Sequence, residues 1–394
     1  MTELFKKAKK FTEANMIKKA GLYPYFIPSY GIIGPRTMMD GKETIMLGSN
    51  NYMGLNNHPE MIKASCDATK KYGTGCTGSR FLNGTLDLHE KLELKLADFM
   101  GRDDTLTFST GYQTNLGVIS AISRKGDYII SDSFNHASII DGCQLSRAKT
   151  VVFQHDDMED LDKVLSELPE KAGKLVVVDG VFSMEGNIAR IPEILKIAHE
   201  HEARLLVDDA HGLGYLGDHG EGVGGYFHRM QDIDLITGTF SKSFAGVGGF
   251  VAGDDVVIDF IRHQARSFIF SASMPPACAA SSLKATELIW KADDRRKQLL
   301  KNAKMFRDGL DAIGFETGVT ETPIVPVLIK DEFLTFRFWR ALLDAGVYTN
   351  PVRAPAVPPG RELLRTSLMA THSEKDITDA IDIFETVGKE FKII

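Results

Sequence analysis

The chain has 394 residues, 43% of them hydrophobic and 25% charged, an ordinary globular composition that argues against disorder or a fibrous class. Its formal net charge of -7 and pI near 5.9 offer nucleic-acid phosphates no basic face, so no nucleic-acid partner is expected. Four cysteines, Cys66, Cys76, Cys143 and Cys278, stand far apart without a CxxC pair. That suggests neither a zinc site nor a disulfide framework and fits a reducing, cytoplasmic setting.

The start, MTELFKKAKKFTEANMIKKAG, spreads lysines among Phe5, Met16 and Ile17 and has no apolar signal-peptide core. It reads as a solvated amphipathic helix, with peripheral contact to an anionic membrane as the alternative. No later stretch reaches the roughly 18 uninterrupted apolar residues of a membrane span. The glycines of GTGCTGS at 73–79 invite a phosphate-loop reading, but they follow no apolar strand and lack the GK[ST] ending.

From about residue 104, short apolar runs recur: DTLTF, DYIIS, TVVFQH, KLVVVDG, ARLLVDD, DIDLITG and GGFVAG. They read as buried strands. Between KLVVVDG and ARLLVDD lies IPEILKIAHEHEA, whose apolar spacing is helical and whose length suits a βαβ unit. A mostly parallel sheet with helices on both faces is therefore expected.

In such sheets ligands bind beyond the carboxyl ends of the strands. The residues there are chemical ones: Ser109, Thr110 and Gly111, then His136, Ser183, Asp208 with His211, and Thr239 with Lys242. After about residue 280 the pattern changes. The stretch TELIWKADDRRKQLLKNAKMFRDGLDAIG reads as one long helix, followed by the run PIVPVLI, a second helix, the run LLRTSLMA, and a last helix opened by Ser373 with Asp376, a near capping box. The expected organisation is an N-terminal helix and segment over 1–50, a large cofactor-binding α/β domain over 51–280, and a small α+β domain over 281–394.

LVDDAHG carries two carboxylates and a histidine, but in an extended segment Asp208 and Asp209 point to opposite faces, so a metal site there would need distant partners. A lysine amine with lowered proton affinity forms Schiff bases with aldehyde cofactors. Around Lys242, GTFSKS supplies small residues to close around a ring and hydroxyls to bind a phosphate. A carboxylate such as Asp208 suits a pyridine nitrogen. FSTGYQTN at 108–115 adds a strand end, a glycine and a helix start whose N–H groups near Gly111 and Tyr112 suit a phosphate. Together these residues read as a pyridoxal 5'-phosphate site.

The chain resembles the α-oxoamine synthases, pyridoxal-phosphate enzymes of the aspartate aminotransferase-like (type I) fold. The resemblance runs over nearly its whole length, through GSNNYMGL at 48, GSRFLNGTLDLHEKLE at 78, STGYQTN at 109, NHASIIDG at 135, DGVFSMEG at 179, VDDAHGLG at 207, GTFSKS at 238, FSAS at 270 and LLRTSLMATHS at 363. It implies that Lys242 is the covalent anchor, that His136 stacks on the cofactor ring and that Asp208 pairs with the pyridine nitrogen. His211 and Ser183 would lie near the ring hydroxyl. Gly111, Tyr112, Thr239 and Ser241 would bind phosphate, with Ser271 reaching it from the other subunit of a homodimer. Arg365, helped by Asn50 or Asn51, would receive the substrate carboxylate. Asp209 stands where many relatives have glutamate, which leaves the role of Asp208 untouched.

The resemblance further implies decarboxylative condensation of an amino acid with an acyl thioester. The forms SRFLNGTLDLHEKLE and GTFSKS are most similar to members that join L-serine to a long acyl chain on CoA or acyl carrier protein. The alternatives are glycine with acetyl-CoA, or alanine with a pimeloyl thioester.

Overall fold

Leu175, Val176, Val177 and Val178 are all buried, because the strand that carries them is covered on both faces. The computed structural model describes residues 3–394; the first two residues of the 1–50 segment lie outside the described residues. The opening segment forms the helices Glu3–Lys10 and Glu13–Lys19, followed by β1 (Ser29–Tyr30), β2 (Arg36–Met39) and β3 (Lys42–Met46).

Next come β4 (Asp104–Phe108), β5 (Tyr128–Asp132), β6 (Lys149–Phe153), β7 (Lys174–Asp179), β8 (Arg204–Asp208), β9 (Leu235–Thr239) and β10 (Gly249–Gly253). All seven expected runs are strands of one sheet, in the order β4-β10-β9-β8-β7-β5-β6. β10 alone runs opposite to the other six, pairing antiparallel with both β4 and β9. Side chains alternate between the faces: Val176, Val178 and Val207 join one hydrophobic cluster, while Leu175, Val177 and Leu206 join another beneath the helix Gly111–Ile122. This is the mostly parallel, helix-covered sheet of the type I aminotransferase-like fold.

The remaining strands are β11 (Ile324–Leu328), β12 (Val347–Tyr348), β13 (Asn350–Val352) and β14 (Leu363–Ser367). β11, β14 and β13 make an antiparallel three-stranded sheet, whereas β12 pairs in parallel with β3. Backbone bonds from Ser367 to the Leu47 carbonyl and from Ala370 to that of Tyr52, both 2.7 Å, draw residues 47–52 against the end of β14. The final helix, Glu374–Glu390, starts with the expected capping box between Ser373 and Asp376.

The stretch read as one long helix is two, Pro276–Trp290 and Asp293–Ala312. Ala292, with φ -97° and ψ 38°, leaves the helical region between them. Nη1 of buried Arg296 then donates at 2.7 Å to the Ile289 carbonyl, which also accepts from the Ala292 N–H at 3.0 Å, so the arginine braces the junction between the two helices.

Candidate active site

Five parallel strand ends converge on one cavity of about 330 Å³, as the direction of a parallel sheet requires. Gly111, Tyr112, His136, Ser183, Asp208, His211, Thr239, Ser241 and Lys242 all line it. Residues scattered over more than 130 positions in sequence thus become one wall.

Lys242 sits in the loop between β9 and β10. Phe240 and Phe244, both fully buried, root that loop in the core, and the Phe240 N–H bonds the Gly248 carbonyl at 3.0 Å. Loss of hydration lowers the Lys242 amine to about 8; Asp208 and Asp179 oppose the shift, and Arg365 adds to it. About a tenth of the amine is therefore uncharged at pH 7, far more than for an ordinary lysine.

Asp208 ends β8 on the face shared with Leu206, under the helix Gly111–Ile122. Its Oδ2 accepts from Asn115 Nδ2 at 2.6 Å and its Oδ1 from the Ala210 N–H at 3.0 Å. Asn115 is itself locked, donating to Ser138 Oγ and accepting from Thr237 Oγ1, each at 2.9 Å. Asp209 turns to the opposite face as expected and accepts from the Val223 N–H at 2.6 Å. The two adjacent carboxylates therefore cannot share a ligand.

Asp179 also lines the cavity, though the sequence reading assigned it no role. Its backbone is in register with Asp208, and its Oδ2 accepts from the His136 N–H at 3.0 Å. Burial, then the charge of Asp208, raise its carboxyl well above the usual range. The available signal was its position at the end of the apolar run KLVVVD, equivalent to that of Asp208 in RLLVD.

His136 caps the helix Ala137–Leu145, with Nδ1 2.7 Å from Ser138 Oγ. Desolvation lowers its proton affinity; Asp208 opposes this and Lys242 reinforces it. His211 is held well below the usual histidine range by burial, then by Lys242 and Arg365. Its Nδ1 lies 2.8 Å from the hydroxyl of fully buried Tyr52.

Arg365 on β14 is buried and reaches this wall from the other sheet. Nε donates to the Ser183 carbonyl, Nη1 to Asn50 Oδ1 at 2.9 Å, and Nη2 to Tyr52 Oη at 3.2 Å. Asn50 and Asn51 divide sharply. Asn51 makes no hydrogen bond to Arg365; it caps the Leu55 N–H at 3.1 Å and bonds Asn56 at 2.8 Å. Ser271 does not line the cavity of its own chain and instead accepts from Gln113 Nε2 at 3.2 Å.

The arrangement fits pyridoxal 5'-phosphate. Thr110 Oγ1 takes the Gln113 N–H at 3.1 Å, leaving the N–H groups of Gly111 and Tyr112 at a helix start that is an anion site. A Cβ on Gly111 would fall 2.8 Å from Thr239 Cβ, so only glycine lets this backbone meet the Thr239–Ser241 hydroxyl pair, 2.9 Å apart. Donors for a phosphate, an imidazole beside the cavity, a fixed carboxylate and an amine of lowered proton affinity are the parts this cofactor needs.

Residues 42–384 match the aminotransferase class I and II family. The chain is 48% identical over 391 residues to the serine palmitoyltransferase of Sphingobacterium spiritivorum, covering 99% of this chain and 98% of that one. It is 45% identical over 379 residues to the 8-amino-7-oxononanoate synthase of Thermoanaerobacter pseudethanolicus, covering 96% of each. The solved serine palmitoyltransferase of Sphingomonas wittichii superposes with a TM-score of 0.97 at 40% identity over the whole of both chains. A structure of SPT with its PLP internal aldimine matches equally well.

Fold and cavity together thus define a pyridoxal-phosphate-dependent enzyme of the aminotransferase-like class. Within it the chain belongs to the α-oxoamine synthases, a family of acyltransferases.

Proposed function

We propose that this enzyme condenses L-serine with a long-chain acyl thioester, palmitoyl-CoA being the type substrate, to give 3-oxosphinganine, carbon dioxide and the free thiol. The observation that carries this reading is the 48% identity, end to end, to a serine palmitoyltransferase. The sequence forms around Ser79 and Lys242 support it.

When bound, pyridoxal 5'-phosphate supplies a sink for the electron pair of a bond at the amino-acid Cα. The protein does the rest. Arg365, steadied by Asn50, holds the substrate carboxylate and so sets which Cα bond is presented for cleavage. Lys242 Nζ, uncharged in part near neutral pH, takes the Cα proton. His136 covers one side of the reacting centre, and Asp208, aimed by Asn115, offers its charge to the pyridine nitrogen. Gly111, Tyr112, Thr239 and Ser241 hold the phosphate, with Ser271 of a second copy completing the set in a homodimer.

The 45% identity to an 8-amino-7-oxononanoate synthase favours alanine with a pimeloyl thioester as the second reading. Purified enzyme given equimolar serine, alanine and glycine with palmitoyl, pimeloyl and acetyl thioesters decides between them. Mass spectrometry should find the serine–palmitoyl product dominant; a dominant alanine–pimeloyl or glycine–acetyl product would overturn the assignment. Among the described residues no helix is long and apolar enough to cross a membrane, and a cytoplasmic enzyme meeting lipid substrates at a surface is part of the same proposal.

A further inference from the structure

Tyr52 lies between two groups with different tasks. Its side chain is fully buried, and its one hydroxyl oxygen touches Arg365 Nη2 at 3.2 Å, His211 Nδ1 at 2.8 Å and Asn50 Oδ1 at 3.3 Å. The proton inventory of this cluster favours one solution by distance. A guanidinium only donates, so Arg365 occupies a lone pair of the phenol oxygen. The single phenol proton must then point to His211 or to Asn50. Asn50 Oδ1, at 3.3 Å against 2.8 Å for His211 Nδ1, is the more distant partner, so the proton points to His211 Nδ1.

The histidine completes the inventory. Burial with Lys242 and Arg365 nearby keeps the imidazole uncharged, and burial raises the phenol further above its usual range. Neither group has reason to be ionised near neutral pH. A neutral imidazole that accepts at Nδ1 carries its proton on Nε2. That nitrogen has no hydrogen-bond partner among the described residues, and His211 lines the cavity.

We propose that Tyr52 is a positioning residue that fixes His211 as the Nε2–H tautomer, presenting a hydrogen-bond donor to the cavity, and that it ties this donor to Arg365 through one shared oxygen. The ligand group served is an acceptor oxygen on the ring of the cofactor. This last point rests on the pyridoxal-phosphate reading of the cavity; the tautomer itself does not. The sharing has a consequence for order in the site: an Arg365 that moves to meet a carboxylate pulls on the oxygen that orients His211.

Long-range nitrogen–proton correlation NMR on the holoenzyme with isotope-labelled histidines tests this directly. His211 in the native enzyme should show the Nε2–H pattern. Tyr52→Phe keeps the ring and deletes the hydroxyl, and should shift the tautomer ratio toward Nδ1–H about fivefold, the equivalent of one net hydrogen bond of ~1 kcal/mol. The absorbance of bound cofactor should change with it while circular dichroism does not. An Nδ1–H or charged His211 in the native enzyme, or an unchanged ratio in the variant, would overturn the proposal. The native measurement decides even if the variant fails to fold. Failure of the cofactor reading would appear separately, as native protein that takes up no pyridoxal phosphate.

Discussion

Asp179 and Asp208 stand in register on neighbouring parallel strands, so their carboxyls leave the same face of the sheet at the same end. Burial and the neighbouring Asp208 charge both act on the proton affinity of Asp179. Asp208 receives two donors, from Asn115 and the Ala210 N–H. Asp179, without the asparagine, is the one raised well above the usual range.

The pair predicts opposite responses to the same substitution. Asp208→Asn should lower kcat by about 100-fold or more, the scale of removing a preorganised charge from a reacting centre. Asp179→Asn should keep most of the activity, because a neutral amide oxygen can still accept from the His136 N–H. An acid whose folded-state affinity for protons is raised withdraws stability as pH climbs from the unfolded aspartate value, about 3.9, toward its folded value. Denaturation followed across pH should therefore show Asp179→Asn gaining on the native enzyme as pH rises above about 4.

Lys242 carries a second pH prediction. With its amine lowered to about 8, covalent uptake of pyridoxal phosphate by cofactor-free protein should accelerate up to that pH and then level off. An unperturbed lysine would keep accelerating toward about 10.4. Stopped-flow absorbance reads the midpoint. Lys242→Ala should give no borohydride-fixed cofactor and lose at least ~10²-fold to 10⁴-fold in kcat, the range of a positioned proton-transfer group.

Asn50 and Asn51 separate binding from folding. Asn50→Ala and Arg365→Ala should raise KM for the amino-acid substrate, Arg365→Ala about 30-fold for ~2 kcal/mol of charge-assisted hydrogen bonding, with cofactor absorbance retained. Asn51→Ala should leave KM near native and cost about 1 to 2 kcal/mol of stability, because the buried Leu55 N–H loses its acceptor. Steady-state kinetics paired with urea denaturation distinguishes the two.

Ser271 tests the shared site. It is absent from the cavity of its own chain, so a role in phosphate binding requires a second copy. Sedimentation should give a dimer, and Ser271→Ala should weaken cofactor affinity about fivefold to tenfold, one hydrogen bond's worth. A fully active monomer with unchanged affinity would remove Ser271 from the site.

Much of this was legible in the chain itself. The apolar runs that form the strands ending at Phe108, Asp132, Asp179, Asp208 and Thr239 announced a parallel sheet, because a strand buried on both faces needs an unbroken apolar stretch. Direction then places every chemical residue after those runs at one end, and that is why His136, Asp208 and Lys242 were readable as partners. Only β10 escaped as to direction, since strand order and polarity depend on which edge a segment joins. The helix break at Ala292 escaped because Arg296, a polar residue in a helical pattern, acts through a carbonyl in the preceding helix.

Tertiary structure alone decided the contacts made across the sheets. Nothing in NNYMG distinguishes Asn50 from Asn51; the backbone bonds that draw residues 47–52 against β14 do, turning one amide to Arg365 and the other into a turn. Tyr52 is a core aromatic by burial, yet its hydroxyl joins residues 159 and 313 positions away. Local pattern encodes which residues are buried. Which polar atoms meet inside is set by where distant segments cross, and in this protein that crossing makes the site.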